Sequence, residues 1–242
     1  MRNWIAAAGF LLIGLSGCNT SENIAENTQI PEKPALTLAD VVPVMQPDTP
    51  EEIAKQKAFL QEDTARFKSK KLASEYYVTQ AKRTFEEQKL DSAQWLLGRA
   101  WLMDSTNNDI YWGYGRIYGE QKQYDKALFI LYHALETDLQ NPQLLTDIAT
   151  SHLNRFYETS NPDDLQQSRK LLEQALALSP NQADINYKLA INSYYMQEYG
   201  KAWEYLHKSL RQDKEVAGKN FISALLEKQQ DPMGIFNGAN MQ

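Results

Sequence analysis

The sequence predicts an all-α chain built as a stacked array of helix–turn–helix repeats. Three observations carry this reading. Small residues recur on a beat of 34: Ala93 is followed by Ala127, then after 41 residues by Ser168, then after 34 again by Ala202. Leu97, Leu131, Leu172 and Leu206 stand four positions after each of them, and Ala100, Ala134, Ala175 and Ser209 seven after. Ala81, Gly115 and Ala190 stand twelve before, and in the longer third unit Ala149 stands nineteen before. A period of this size marks units that bury their apolar faces by stacking on their neighbours.

Residues 1–17 lie outside that pattern. Arg2 supplies a positive start and residues 4–15 an apolar run, the make-up of a secretion signal and too short for a membrane span. The signal ends in Leu15-Ser16-Gly17-Cys18, which resembles a bacterial lipobox. The resemblance implies cleavage before Cys18, a thioether-linked diacylglycerol and an amide-linked acyl chain on that residue. Several acyl chains suffice for stable anchoring where one does not. Cys18 is the only cysteine, so with it acylated the chain has neither an intramolecular disulfide nor a catalytic thiol. Asn19, where an Asp would imply inner-membrane retention, implies anchoring to an outer membrane, facing the periplasm. Residues 18–49 read as a lipidated flexible tether. They carry Pro31, Pro34, Pro43 and Pro47, no helical period, and a coil reach of roughly 30 Å. Within it, Leu36, Leu38, Val41, Val42, Val44 and Met45 form an apolar stretch. Such a stretch either lies extended on the domain's own surface or docks on a partner or in this chain's own groove.

A leading helix is expected over 50–73. Thr49-Pro50-Glu51-Glu52 combines a capping residue, a proline in the first turn and a glutamate three residues on. Ile53, Leu60 and Phe67, with Ala54, Phe59 and Ala65 nearby, give one apolar face to cover the first repeat. Four units follow at 74–107, 108–141, 142–182 and 183–216, with Leu90, Tyr124, Leu165 and Tyr199 near their hairpin turns. These residues resemble the tetratricopeptide repeat (TPR) family over more than half of the chain. The resemblance implies a right-handed superhelical stack. The chain departs from the family pattern at Ser168, where alanine is usual. The proline that closes a repeat is present only at Pro180, with Ser105, Leu139 and Lys214 in its place elsewhere. The third unit's extra residues fall at 156–164, where Asn161-Pro162-Asp163-Asp164 reads as a fresh helix start. They form either a loop extension or a protruding edge for a partner. Ala217, Phe221, Ala224 and Leu225 indicate a C-terminal capping helix over 217–230, since the end of a stack exposes an apolar face. Residues 231–242 read as a disordered tail.

Composition narrows the function. The net charge is −6 and the only basic cluster is Lys68-Ser69-Lys70-Lys71, a solvated helix end, which argues against nucleic acid as a partner. There is no glycine-rich phosphate loop and no nucleophile elbow. His133 with Glu136, and His207 with Glu204, could each share a helix face. Both histidines fall on second helices, which the resemblance places on the outer side, so surface positions are expected and no metal, cofactor or catalytic activity.

The resemblance further implies that positions 2, 5, 9, 12 and 13 of each unit face a concave groove. Asp109 and Glu120 fall there, as do the residues expected to bind protein: Lys82, Phe85, Trp112, Arg116, Tyr187, Ile191, Tyr194 and Tyr195. Trp, Tyr and Arg most often dominate binding energies. The same aromatics could instead pack between neighbouring helices. Lys82 and Arg116 alone do not make the two-carboxylate clamp of chaperone-binding members. The chain therefore reads as a membrane-anchored adapter for a peptide segment or an envelope protein. The alternative is a structural, self-associating envelope module.

Overall fold

The computed structural model describes residues 35–236, and every regular element among them is helical. Cys18, the signal at 1–17, the tether up to residue 34 and the tail at 237–242 lie outside the described residues. The elements are α1 (Leu38–Val41), a 3-10 turn (Pro43–Met45), α2 (Pro50–Arg66), α3 (Lys70–Glu86), α4 (Leu90–Met103) and α5 (Asn108–Glu120). They continue with α6 (Tyr124–Leu135), α7 (Pro142–Thr159), α8 (Pro162–Leu178), α9 (Ala183–Tyr195), α10 (Tyr199–Gln212) and α11 (Lys219–Lys228). Four hairpins, α3/α4, α5/α6, α7/α8 and α9/α10, stack in chain order.

The periodic small residues lie buried between the two helices of each hairpin. Ala81 and Ala93, Ala127, Ala149 and Ser168, and Ala190 and Ala202 are all buried. At Gly115 a methyl would sit 2.4 Å from the Leu131 side chain, so glycine lets α5 lie against α6 without displacing it. Asn107, Asn141 and Asn161 start α5, α7 and α8 by accepting backbone N–H groups through their side-chain oxygens. The expected fresh start at Asn161 is therefore where α8 begins. Ser160 ends α7 just before it with a left-handed φ of 56°. The third unit's extra length goes into both of its helices: α7 has 18 residues where α5 and α9 each have 13, and α8 has 17 where α4 and α10 have 14 and α6 has 12.

Ser168 stands where the other hairpins have Ala93, Ala127 and Ala202, with a hydroxyl that finds no hydrogen-bond partner among the described residues. Burying an unpaired hydroxyl costs on the order of 1 kcal/mol. Ser168→Ala is expected to raise stability by about 1 kcal/mol, read as a higher urea midpoint at unchanged slope. A lower midpoint would show that the hydroxyl is satisfied.

Three expectations about the ends are corrected. First, the tether does not run free to residue 49. Residues 38–45 fold onto the body as α1 and the 3-10 turn, with Val41 and Val42 fully buried. The Tyr118 hydroxyl donates to the Val41 carbonyl at 2.8 Å, Gln56 Nε2 donates to the Val44 carbonyl at 3.2 Å, and Val44 fits over the bare backbone of Gly98. The apolar stretch thus lies on the domain's own surface, as helical turns rather than extended chain, and it rests against α4 and α6 rather than in a groove. Second, the leading helix stops at Arg66 and the first repeat helix begins at Lys70, because Ser69 caps it by accepting the Leu72 N–H at 3.2 Å. Its expected apolar face holds at Phe59, Leu60 and Phe67, which pack against the core, and fails at its N-terminal end. Ile53 is exposed, while Phe59 and Asp63 are buried, with Arg99 stacked on Phe59 at 4.3 Å and Tyr77 donating to Asp63. Third, residues 231–236 are ordered. Asp231 is buried and accepts the N–H groups of Met233 and Phe236 as well as the ring of His207.

Candidate binding groove

The first helix of each hairpin supplies the inner face. On α3 and α5, four of the expected residues meet. Lys82 Nζ lies 3.0 Å from Asp109 Oδ2 and 6.0 Å from the centre of the Trp112 ring. Trp112 donates its Nε1–H to Asp147 Oδ2 at 2.7 Å. Arg116 lays its guanidinium 4.4 Å from the centre of the Phe85 ring and brings Nε to 4.0 Å from the same Asp147 oxygen. One polar and aromatic wall thus runs from the first repeat to the third. Asp147 is its hub. Desolvation raises the Asp147 pKa above the ordinary carboxylate value, although the Trp112 hydrogen bond and the Arg116 charge oppose the shift.

The far half is built differently. Tyr187 accepts the Gly218 N–H at 3.3 Å and sets its ring edge-on to Phe221 at 5.6 Å. Tyr194 also meets Phe221, at 5.7 Å. These two half-buried tyrosines hold the capping helix α11, so the packing reading applies to them. Ile191 is half-buried on the same helix. Tyr195 is the exposed member, with its ring 5.0 Å from Tyr157 and 5.6 Å from Phe156. The eight expected residues therefore form two groups rather than one continuous patch.

The histidines lie elsewhere. His133 is half-buried on α6, edge-on to the Tyr111 ring at 4.7 Å, with Nδ1 3.4 Å from Glu136. His207 does not pair with Glu204 and is not a surface residue: it is 5% exposed and donates Nε2–H to Asp231 at 2.8 Å. His152, also buried, bonds Asp164 through Nδ1 at 2.7 Å and the Tyr132 hydroxyl through Nε2 at 2.9 Å. Among the described residues, no group of three or more His, Cys, Asp or Glu side chains could hold a metal ion.

Solved structures share this architecture. One is TTC0263, a thermophilic TPR protein from Thermus thermophilus, with a TM-score of 0.56 at 15% identity over 64% of this chain and 81% of that one. PilF of Pseudomonas aeruginosa also has a TM-score of 0.56, at 19% identity over 66% of this chain and 71% of its own. The fold is the tetratricopeptide repeat stack. A MamA RS-1 ArsTM double mutant has a TM-score of 0.51 at 12% identity, over 68% of this chain and 84% of that one. No protein-family model matches the sequence, and no curated protein matches it. At these identities the likeness defines the TPR fold alone, and the groove's chemistry is this chain's own.

Sequence reasoning missed Asp147 and Tyr157. Asp147 is position 6 of its unit, off the family's groove positions, and the indole that bonds it comes from the preceding repeat. Tyr157 belongs to the extra length of α7, where a regular TPR unit has no position to compare. The available signal was the spacing itself, since the 41-residue interval marks where something is added.

Proposed function

We propose that this chain is a non-enzymatic scaffold of the bacterial envelope, anchored by lipid on Cys18, that holds an extended segment of a partner protein in its inner groove. The lipobox and Asn19 support an outer-membrane anchor facing the periplasm. The observation that carries the binding reading is the wall joining Lys82, Trp112 and Arg116 through Asp109 and Asp147. It fixes an indole and a guanidinium in one orientation before any partner arrives, so less side-chain entropy is lost on binding. Anchoring then concentrates the partner at the membrane.

Two measurements test this. Crosslinked pull-down from envelopes, compared between the native chain and Trp112→Ala with Tyr195→Ala, should show capture weakened by roughly thirtyfold, as for loss of an aromatic hot spot. Unchanged capture by a folded double variant refutes the groove. Cys18→Ser should release the protein from the membrane fraction, and retention there refutes the lipid anchor.

A further inference from the structure

We infer that the cleft between α5 and α7 seats a lysine or arginine side chain of the partner, so that the groove takes a basic segment. This deepens the groove reading above and rests on it. The cleft has a volume of 510 Å³ and is walled by Glu120 on α5, Tyr124 at the start of α6, and Asp147, Tyr157 and Glu158 on α7. Tyr157 and Glu158 belong to the stretch by which α7, at 18 residues, outruns the 13 of α5 and α9. The irregular third unit therefore contributes both a ring and a carboxylate to this wall, which a unit of regular length would lack.

Charge complementarity selects the occupant. The cations of the inner face are largely engaged by the chain's own carboxylates. Lys82 pairs with Asp109, Lys188 pairs with Asp184, and Arg116 stands beside Asp147 and over Phe85. Lys122 remains at the cleft's outer turn. Glu120 and Glu158 are exposed and have no ion-pair partner among the described residues. They act on a common point: the Tyr124 hydroxyl is pushed to a higher pKa first by burial and then by the charges of Glu158 and Glu120. A cation entering between them gains two carboxylates, and a long aliphatic stem can lie along the exposed Tyr157 ring. An acidic side chain would meet two like charges at the entrance, which rejects it.

The test uses the full chain in detergent micelles and fluorescence anisotropy. The probes are a fluorescein-labelled, arginine-bearing serine–alanine peptide and its glutamate-bearing twin. The arginine peptide is expected to bind about tenfold tighter than its twin, and Glu120→Gln with Glu158→Gln to remove about that factor. Glu62→Gln with Glu227→Gln, at exposed sites on α2 and α11, should leave the affinity unchanged. An equal loss from that remote pair would mean that net charge alone attracts the peptide, and overturns the seat. Equal or preferred binding of the glutamate peptide, weakened by Trp112→Ala, overturns the basic seat while the groove reading stands. Absence of binding by either peptide overturns both. Concentration-dependent dimerisation abolished by the Glu120/Glu158 pair would make a second copy of this chain the occupant, and overturns it too.

Discussion

Asp164→Ala is expected to destabilise the stack by about 3 kcal/mol, seen as a lower urea midpoint, because it strips the shared acceptor from half-buried Arg155 and buried His152. Asp164 is 2% exposed in the first turn of α8. Its carboxylate accepts from Arg155 Nε at 3.1 Å and from a terminal guanidinium nitrogen at 2.7 Å, and from His152 Nδ1 at 2.7 Å. Arg155 continues to Asp125 at 3.0 Å, and His152 to the Tyr132 hydroxyl at 2.9 Å. The network therefore ties α6, α7 and α8 together. Burial acts to raise the Asp164 pKa, but the hydrogen bonds from Arg155 and His152 outweigh it and hold the group below the ordinary carboxylate value. Removing the carboxylate leaves Arg155 with only its exposed partner and His152 Nδ1–H with none, and each loss adds to the cost. A double-mutant cycle of Asp164→Ala with His152→Ala should show coupling of about 1 kcal/mol or more. Additive losses would show that the three groups act independently.

The same imidazoles set the pH dependence. Burial, the largest effect, lowers the pKa of both His152 and His207 below the ordinary 6.5 despite their aspartate partners. Between the folded value and 6.5 the unfolded chain binds more protons than the folded one, so stability rises with pH through that window. It is fully present above 6.5 and falls on acidification below it. The depressed Asp164 adds a second loss at lower pH, below its ordinary 3.8. An acid limb of urea midpoints that stays flat down to pH 5 would contradict the buried, neutral state of the histidines.

How much of this was legible in the chain depends on whether a residue's reason is local. The hairpin register could be read because Ala81, Gly115 and Ala149 are buried where the two helices of a hairpin pack, and at Gly115 even a methyl would meet the Leu131 side chain. The start of α8 could be read because Asn161 caps through a bond two residues away. Asp147 could not, because the indole that gives it meaning stands 35 residues earlier. The docked segment was half legible. Its apolar run was visible, but the surface it lies on is shaped by Gly98, whose missing side chain has no periodic signal. The ordered tail was misread for a related reason. Asp231-Pro232-Met233-Gly234 has turn composition, and a turn without its anchor is indistinguishable from a disordered end. The anchor is His207, in the middle of α10.

Trp203→Ala should have the largest effect, about 4 kcal/mol, and should free the C-terminal end before the rest of the stack. Trp203 is 1% exposed on α10, in an apolar cluster with Leu206, Ile222 and Leu225 that is separate from the core of the preceding hairpins. Its Nε1–H donates to the Gln229 carbonyl at 3.1 Å, just past the end of α11. Its ring stacks on His207 at 5.5 Å and on Phe236 at 6.2 Å, and His207 in turn holds Asp231. One side chain therefore joins the last hairpin, the capping helix and the ordered tail. Truncation leaves a large cavity and also unpairs the Gln229 carbonyl, whereas Trp203→Phe keeps part of the packing and loses less. Limited proteolysis should cut the alanine variant within 229–236 under conditions where the native chain resists, and hydrogen exchange should accelerate across α11. The consequence reaches the groove. Tyr187 and Tyr194 are held by Phe221 of α11, so the variant should also lose order on the far half of the inner face while the Lys82–Trp112–Arg116 wall persists. A loss under about 1 kcal/mol, or exchange that accelerates evenly through all four hairpins, would show that α11 and the tail are not a separately held cap.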